Sequence, residues 1–375
     1  MKKKICFVIN KPSVGGAELF LLKLITKIKD DFDCYIIFLS ENGELLEEFK
    51  IVTKKLFILD LRINLLSVFT NHKKIVKIFG EIKPDVVHTW LYISDIFGGC
   101  AAFISGVPKI FWSIRQSNIS YSQNKLHTFL LSRISGILSC IIPDKIVSCS
   151  EVAKNIHIRK AFYKSSKILV IPNGYDLDYL KFDDHKRQIF RDELQVKKTQ
   201  FIIGIIGRYD IQKGFDNFIK IAHLITQNIS NIQFVLVGPG CTNDNIDLIN
   251  LMKEYSFGTK FILLGARSDI RPVLCGLDLL IIPSRGEAFP NILGEAMSLG
   301  TMVLTTNVGE IPIILKDIQK TFSPGSNHEM ADEAKRIIKM NKSESEKHST
   351  KLRNRIEEKY SINQVVNDYK KLYSN

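Results

Sequence analysis

The chain has 375 residues, 45% hydrophobic and 24% charged, which is the composition of a globular, soluble protein and excludes disordered and fibrous classes. This length predicts about two domains, and the formal net charge is +13, with 25 Lys and Arg against 16 Asp and Glu in residues 1–178. The basic first half favours a phosphate-bearing partner such as anionic lipid, a lipid pyrophosphate or nucleic acid, although solubility explains it equally well.

Cysteine spacing and hydropathy bear on the cellular compartment. Seven cysteines form no Cys-x-x-Cys pair and no metal-ligand spacing, which predicts reduced thiols in a cytosolic protein. The start, MKKKICFVIN, has too short an apolar run for a signal peptide. The most apolar later segment, LHTFLLSRISGILSCIIP, contains Arg133, and its uncharged remainder is too short to span a bilayer. We therefore expect no transmembrane helix.

Short apolar runs alternate with helical patterns in two series. The first series of predicted strands is KICFVIN, CYIIFLS, KLFILDL, DVVHTW, KIFWSI, KIVSCS and KILVIP. After NGYD the rhythm restarts with FIIGIIG, QFVLVG, KFILLG, DLLIIP and TMVLTT. Strands of near-continuous Val, Ile and Leu separated by helices are typical of parallel sheets covered on both faces. The sequence therefore predicts an α/β protein with two Rossmann-like domains.

A polar stretch at residues 176–200 has no apolar run that predicts a buried strand and separates the two series. It predicts an N-terminal domain over residues 1–178 and a C-terminal domain over 179–360. The last helical pattern, within 361–375, is expected to pack back on the first domain. Ligands of such sheets bind beyond the carboxyl ends of the strands, so two facing sheets predict a cleft between the domains.

A glycine pair follows the first predicted strand. Gly15 and Gly16 precede a helix expected to begin near Ala17, and they would let backbone N–H groups approach an anion. A tight turn would also need glycine for steric reasons alone. The pattern is not GxGxxG, and no acidic residue ends the second strand to hold a ribose, which argues against a nicotinamide enzyme.

Two cations follow the strand FIIGIIG. Arg208 and Lys213 flank the loop that leads to Gly214 and the next helix. A guanidinium and an ammonium at the mouth of a parallel sheet suit a pyrophosphate. They could also be solvated surface cations, but their place directly after an apolar strand favours the functional interpretation.

Two glutamates bracket the stretch EAFPNILGE. Glu287 is predicted in the loop after the strand DLLIIP, and Glu295 inside the helix that Pro290 opens and Gly300 ends. The free N–H groups near Asn291 and Ile292 can receive a phosphate.

This placement predicts a different role for each acid. Glu295 suits a hydroxyl pair such as a ribose, and Glu287 suits a sugar hydroxyl. Glu295 could instead be an ordinary exposed helix residue, but its small neighbours Gly294 and Ala296 indicate a tightly packed surrounding.

Five motifs, in order along essentially the whole chain, resemble the GT-B glycosyltransferases of family 4. VVHTWLYISD and SIRQSN resemble more narrowly the branch that builds bacterial capsule, O-antigen and exopolysaccharide repeats. The five motifs are Gly15-Gly16-Ala17-Glu18, Ile171-Pro172-Asn173-Gly174, Gly207-Arg208 with Lys213-Gly214, Gly265 to Asp269 in GARSD, and Glu287 to Glu295.

The resemblance implies a retaining transferase of hexosyl or N-acetylhexosaminyl groups. Its nucleotide-diphosphate-sugar donor, with a UDP-sugar favoured, would bind the second domain, and a lipid-linked oligosaccharide or polysaccharide acceptor the first. It would act at the inner face of the cytoplasmic membrane. A nucleotide-sugar epimerase or a phosphorylase of the same fold is the alternative, and a basic non-enzymatic binding protein is a third possibility. No aromatic-basic RNA motif supports nucleic acid as the partner.

The resemblance also implies roles for individual residues. Arg208 and Lys213 would hold the diphosphate, with Gly16 approaching it from the other domain. Glu287 would contact the donor sugar 3- and 4-hydroxyls and Glu295 the ribose. The predicted donor-binding set is Gly15, Gly16, Arg208, Lys213, Gly265, Arg267, Glu287, Ala288, Phe289, Pro290, Asn291, Ile292 and Glu295, with the backbone of 265–267 receiving the base.

The chain departs from the family pattern at two places. Ala288 stands where relatives commonly have glycine, which could narrow the sugar pocket. Relatives often have an H-x-H pair after the fourth strand, and here His88 is followed by Trp90. His88 is therefore either a catalytic donor contact or a core histidine.

The acceptor site is predicted at Trp90 and Arg115. Arg115 follows the strand KIFWSI, and it could receive an acceptor phosphate or form a structural salt bridge.

No metal or other cofactor is expected. DFD at 31–33 and DLD at 176–178 have the same sequence pattern as the metal-binding D-x-D of other glycosyltransferases, but not the same position relative to the predicted strands. The first precedes a strand and the second lies in the interdomain loop, so both are predicted to be turn acids. Arg208 and Lys213 are expected to neutralise the diphosphate instead.

Overall fold

The computed structural model describes residues 2–41, 43–60, 65–116, 126–255 and 261–374. The chain forms two compact units, unit 1 of Met1–Gly174 with Asn363–Asn375 and unit 2 of Tyr175–Ile362. The division falls a few residues before 178 because Tyr175 is bonded into unit 2. Its backbone N–H donates to Tyr360 at 2.9 Å, and its carbonyl accepts from Ile362 at 2.8 Å.

Unit 1 is built on a parallel sheet whose strand order is β3-β2-β1-β4-β5-β6-β7. The strands are β1 (Lys4–Ile9), β2 (Asp33–Phe38), β3 (Lys55–Ile58), β4 (Val86–Trp90), β5 (Lys109–Ile114), β6 (Lys145–Ser148) and β7 (Ile168–Val170). The helices are α1 (Gly16–Ile28), α2 (Leu46–Val52), α3 (Leu65–Ile82), α4 (Tyr92–Ser94), α5 (Cys100–Ile104), α6 (Leu126–Leu138) and α7 (Glu151–Ala161), with a π-helical turn at Asp95–Gly99.

Unit 2 is built on a second parallel sheet with the strand order β10-β9-β8-β11-β12. The strands are β8 (Phe201–Ile206), β9 (Ile232–Val237), β10 (Phe261–Leu263), β11 (Leu279–Ile282) and β12 (Met302–Thr305). The helices are α8 (Asp184–Glu193), α9 (Phe215–Thr226), α10 (Ile246–Tyr255), α11 (Arg271–Gly276), α12 (Asn291–Leu299), α13 (Ile311–Ile314), α14 (Asn327–Ile338) and α15 (Lys342–Tyr360). The last helix, α16 (Ile362–Ser374), brings the chain back to unit 1 from Asn363 onward.

The apolar runs account for both sheets. In β1 the side chains from Ile5 to Ile9 have no exposed surface, because helices cover both faces of a parallel sheet. Every predicted strand coincides with a strand of the structure, so the predicted fold class of two parallel-sheet Rossmann-like domains is confirmed. Within the described ranges, we find no helix with the length and apolar content that a bilayer crossing requires.

Candidate functional site

The chain reverses its direction of strand addition between β8 and β11, which are neighbours in the sheet. In open α/β sheets, such a switch point is where ligands bind, beyond the carboxyl ends of the strands. After β8, Asp210 accepts the backbone N–H of Gln212 at 2.9 Å and caps the short turn that ends at Lys213. Gly214 follows with φ +72°, and a Cβ there would lie 2.2 Å from the carbonyl oxygen of Pro283, so the two loops touch.

Lys213 and Glu287 meet at this switch point. The Lys213 Nζ donates to the Glu287 Oε1 at 2.7 Å, and the Ser284 hydroxyl donates to the same oxygen at 2.9 Å. The lysine side chain is 33% exposed and the glutamate side chain 9% exposed. A nearly buried carboxylate therefore fixes an ammonium that solvent can still reach. Such a charge-assisted bond is stronger than a neutral one.

A second ion pair fastens the same two loops together. The Arg285 guanidinium donates to both carboxylate oxygens of Asp216, at 2.7 and 2.5 Å, and to the Ile211 carbonyl at 2.8 Å. Burial raises the pKa of Asp216, but the bonds and charge of Arg285 outweigh it and leave this pKa below its ordinary value. Sequence reasoning missed Arg285, Asp216 and Ser284, although Ser284 and Arg285 lie between the strand DLLIIP and Glu287.

Arg208 differs from Lys213 in its surroundings. Its side chain is 75% exposed, and its Nη2 lies 3.9 Å from Asp210, at the outer limit of an ion pair. An exposed pair of this kind contributes little to stability. Arg208 therefore adds positive charge to the rim of the loop without being fixed by it.

Helix α12 carries the second glutamate of the sequence motif. Pro290 occupies the N-cap position, and no described side chain caps the first turn. Gly294 lies against Tyr175, since a Cβ there would be 2.0 Å from the tyrosine ring. The predicted tight packing next to Glu295 is therefore present on one side of it, while Glu295 itself is half-buried. Gly300 ends the helix with φ +74°, as predicted.

The segment predicted to receive the base is partly committed to internal bonds. The Gly265 N–H donates to Cys241 at 2.9 Å, and its carbonyl accepts from Gly238 at 2.7 Å. The Arg267 guanidinium pairs with Glu193 of α8. Residues 266 and 267 are exposed, whereas the backbone of Gly265 is bonded within the turn, with φ +61°.

The glycine turn of unit 1 has an acidic neighbour. Gly15 precedes α1, and a Cβ on it would lie 2.4 Å from the Glu18 Oε2. Glu18 is 8% exposed, and burial raises the pKa of its carboxyl group. The turn that the sequence assigns to an anion therefore has a carboxyl group against its first glycine.

His88 and Trp90 lie in the core of unit 1. His88 has no exposed surface, and its ring nitrogens bond to the hydroxyls of Tyr373 at 2.8 Å and Ser113 at 2.9 Å. Burial and the charge of Arg115 hold the pKa of His88 well below its ordinary value. Trp90 is also fully buried. His88 therefore has the surroundings of the core-histidine alternative, and Trp90 has no exposed surface in this structure. The contacts predicted for them with donor and acceptor stay predictions.

Arg115 is a hydrogen-bonding centre inside unit 1. It donates to the Asn173 side chain at 2.9 Å, to Ser113 at 3.3 Å and to the Tyr369 hydroxyl, and its guanidinium lies 4.1 Å from the Trp90 ring centre. No carboxylate of the described residues pairs with it, so the predicted structural alternative takes the form of bonds to neutral groups. Ser117 and Asn118 of the motif SIRQSN lie outside the described residues.

Comparison with known proteins covers both units. Residues 14–179 match the family described as Glycosyltransferase Family 4, and residues 186–359 match Glycosyl transferases group 1. The chain is 26% identical over 322 residues to the Escherichia coli UDP-Gal:alpha-D-GlcNAc-diphosphoundecaprenol alpha-1,3-galactosyltransferase, covering 84% of this chain and 82% of the relative. It is 24% identical over 355 residues to the capsular polysaccharide biosynthesis glycosyltransferase CapM of Staphylococcus aureus, covering 92% and 90%.

The fold has solved counterparts. The crystal structure of HepE from Anabaena in complex with UDP superimposes with a TM-score of 0.85 at 19% identity, covering 100% of both chains. At this identity the likeness establishes the fold.

Proposed function

The chain belongs to the family 4 glycosyltransferases of the GT-B fold, and from that membership we propose that it moves a sugar from a UDP-sugar to a lipid-linked acceptor with retention at the anomeric carbon. Glycosyl transfer, and not epimerisation or phosphorolysis, is the activity that its named relatives share. UDP is supported by the name of the Escherichia coli relative and by the HepE complex. The acceptor class is supported by the diphosphoundecaprenol in that same name.

The Lys213–Glu287 pair carries this proposal. Negative charge grows on the diphosphate as its bond to the sugar breaks, and a fixed cation there stabilises the transition state without reorganising. Glu287 holds the ammonium in place through the 2.7 Å bond. We propose that its carboxylate also accepts a hydrogen bond from a sugar hydroxyl and that the exposed Arg208 adds charge at the rim. Glu295 on α12 is proposed for the ribose hydroxyls.

Retention follows from a same-face reaction that needs no carboxylate nucleophile. The bond from the anomeric carbon to the leaving phosphate oxygen breaks while the bond to the acceptor oxygen forms on the same face. The acceptor proton passes to the leaving phosphate. The role of the protein is then to position both substrates and to stabilise the departing charge, which differs from the paired acids of hydrolases.

We further propose that the reaction needs no metal and takes place at the inner face of the cytoplasmic membrane. Lys213 and Arg208 supply positive charge for the diphosphate. The lipid-linked substrate named for the Escherichia coli relative supports a membrane setting. EDTA in the assay is expected to leave the rate unchanged, and an added divalent ion that restored a lost rate would overturn the metal-free mechanism.

Lys213→Ala is the direct test. With a UDP-sugar panel and a lipid-diphosphate-sugar acceptor, transfer should fall by about a hundredfold to a thousandfold, while the thermal unfolding midpoint changes little. Lys320→Ala is the matched control, since Lys320 also pairs with a glutamate in unit 2, Glu329, at 3.5 Å, but on an exposed surface. Full activity of Lys213→Ala would refute the assignment.

The donor is identified by thermal shift. UDP-, GDP-, ADP- and dTDP-sugars are compared at equal concentration, since a ligand stabilises the folded state in proportion to its affinity. A midpoint raised by UDP-sugars alone supports the proposed donor, and a response to another base would replace it.

A further inference from the structure

Helix α6 of unit 1 packs on the core through Leu131 and Leu138, but it also buries serines and exposes large apolar side chains, unlike an ordinary surface helix. Ser132, Ser135 and Ser139 have no exposed surface. Ser132 donates to the Phe129 carbonyl at 2.7 Å and Ser139 to the Gly136 carbonyl at 2.6 Å. Ser135 donates to the Tyr92 carbonyl at 3.5 Å. Because all three hydroxyls have an acceptor, the core side of this segment tolerates serines beside its leucines.

The outer face of the same helix is apolar. Leu130, Ile134, Ile137 and Ile141 are 49%, 46%, 62% and 66% exposed. Their spacing of three and four residues puts them on one side, along about 17 Å of the helix and the turn after it. The segment LHTFLLSRISGILSCIIP is too short to span a bilayer. Leu131, Leu138 and Ile142 of this segment pack on the core of unit 1, whereas the four residues above are exposed.

The end of α7 extends this surface. A Cβ on Gly136 would lie 1.5 Å from the Ala161 carbonyl oxygen, so α6 and α7 touch at that point. Phe162, which follows α7, is 58% exposed, and its ring centre lies 5.8 Å from the Arg133 guanidinium. Together these side chains form what we term the apolar stripe: Leu130, Ile134, Ile137, Ile141 and Phe162.

Positive charge accompanies the apolar stripe. Residues 126–170 hold seven Lys and Arg against two Asp and Glu. Arg159, Lys160 and Lys164 are exposed at the end of α7, next to Phe162 in the chain. A partner of this surface must therefore be apolar where it meets α6 and anionic beside it. A second copy of the chain fits poorly, because a two-fold interface brings the same cations together.

We infer that the apolar stripe inserts into the interfacial layer of an anionic lipid bilayer, with Arg159, Lys160 and Lys164 on the lipid head groups. This gives the membrane setting of the proposed function a defined surface, and rests on that function only for its biological purpose. Large exposed apolar side chains flanked by cations are the features that bind a helix in the plane of a membrane.

Vesicle flotation of the full-length chain tests the insertion. The protein should float with vesicles of phosphatidylglycerol and phosphatidylcholine, and less with phosphatidylcholine alone. Ile134→Asp with Ile137→Asp should weaken binding to the anionic vesicles by about tenfold or more. Ile246→Asp, at a side chain 71% exposed in unit 2, is the matched control and should bind as the unchanged protein does. Thermal unfolding checks that each variant is folded.

The charges are tested separately. Arg159→Glu, Lys160→Glu and Lys164→Glu together should abolish the preference for phosphatidylglycerol. The same three charge reversals at the exposed Lys320, Lys342 and Lys347 of unit 2 should leave it intact. The inference is overturned if the unchanged protein does not float, or if the isoleucine variant floats equally well. Dimerisation that the isoleucine variant abolishes, without vesicle binding, would assign the stripe to a second copy instead.

Binding and transfer fail independently. Flotation is measured without donor or acceptor. A protein that floats but transfers no sugar would support the membrane-binding surface and contradict the proposed function. Transfer to a water-soluble acceptor analogue should be equal in the isoleucine variant and the unchanged protein. A protein that transfers sugar but does not float would support the proposed function and contradict the membrane-binding surface.

Discussion

Each unit has one switch point in its sheet, between β1 and β4 in unit 1 and between β8 and β11 in unit 2. In unit 2 the loops beyond these strands bring the ammonium of Lys213 to the carboxylate of Glu287, where solvent still reaches the lysine. In unit 1 the polar residues of β4 are buried, and His88 bonds to Tyr373 of α16. Equivalent topology therefore produces a polar site in one unit and an aromatic core in the other.

The difference lies in what packs against the strands. Tyr373 of α16 contacts Phe7 of β1, His88 of β4 and Phe111 of β5, with ring centres 5.8 to 6.2 Å apart. Tyr369 on the same helix bonds to Arg115. A polar residue at or after a strand is thus available to a ligand only where no later element of the chain covers it.

Among the variants that distinguish the two units, one that removes the Glu287 charge should have the largest effect, and that effect should be on turnover. Glu287→Gln keeps an oxygen for Lys213 and Ser284 but loses the charge that fixes the ammonium. We expect turnover to fall by about a thousandfold, because preorganised charge at the leaving group supplies most of such catalysis. Stability should change by only about 1 kcal/mol, since hydrogen bonds remain possible. Steady-state kinetics and thermal unfolding measure the two effects, and loss of folding instead of turnover would make the pair structural.

Removing an aromatic ring from the unit 1 core should lower stability and leave donor binding unchanged. Tyr373 has 1% exposed surface, and Tyr373→Ala leaves a cavity that should cost about 3–5 kcal/mol of unfolding free energy. Both tryptophans, Trp90 and Trp112, lie in unit 1, so denaturation followed by tryptophan fluorescence reports that unit. Thermal-shift binding of the donor, which is assigned to unit 2, should persist while the variant is folded.

Tyr373→Phe isolates the hydroxyl. It keeps the ring and removes one of the two hydroxyl partners of His88, at a cost of about 1–3 kcal/mol. Equal stability of Tyr373→Phe and the unchanged protein would show that the histidine does not depend on α16.

A buried histidine should make unit 1 sensitive to acid. Burial lowers the pKa of His157 to about 4, and its ring nitrogens bond to Ala153 at 2.7 Å and Tyr92 at 2.6 Å. Between about pH 6.5 and pH 4, His157 is protonated in the unfolded state but neutral in the folded state. The free energy of unfolding is therefore highest above this window and falls as the pH drops through it. The loss should reach about 3 kcal/mol at most.

The variant His157→Gln separates this group from others. Its unfolding free energy, followed by tryptophan fluorescence, should depend less on pH within the same window. Asp95, whose pKa burial raises, acts in the opposite sense because its contribution is lost as the pH rises. It is present in both proteins and cancels in the difference. An unchanged pH slope would contradict the assignment to His157.

Apolar runs were sufficient to locate every strand of the described chain, because both faces of a parallel sheet are buried. The order of strands was not accessible, since β11 pairs with β8 and not with the preceding β10. That pairing is what joins Lys213 to Glu287, which are 74 positions apart in the chain. The sequence therefore identified Lys213 and Glu287 as candidate site residues without predicting their contact.

The same limit applies to the burial of His88 in unit 1. A histidine at a strand end has the same local sequence whether or not a distant helix covers it. The C-terminal helix was expected to pack back on the first domain, but which side chains its tyrosines would meet could not be derived from periodicity. Likewise, no pattern in the sequence predicts that Arg115 bonds to Asn173 of the motif IPNG.

The smallest predicted effect concerns Ala288, the residue next to Glu287 at which the chain departs from the family pattern. A Cβ on Gly309 would lie 2.0 Å from the Glu287 carbonyl oxygen and 3.3 Å from that of Ala288, so the backbone of this loop is held firmly. Ala288→Gly therefore removes one methyl group from a fixed loop. A methyl in a pocket is worth about 1–3 kcal/mol, or about 10- to 200-fold, and we expect a change at the lower end of this range, about tenfold, in the KM for different UDP-sugars more than in kcat. The KM for UDP-sugars with bulkier sugar groups should fall in Ala288→Gly. If each UDP-sugar has the same KM in the variant and in the unchanged protein, Ala288 lies outside the sugar pocket.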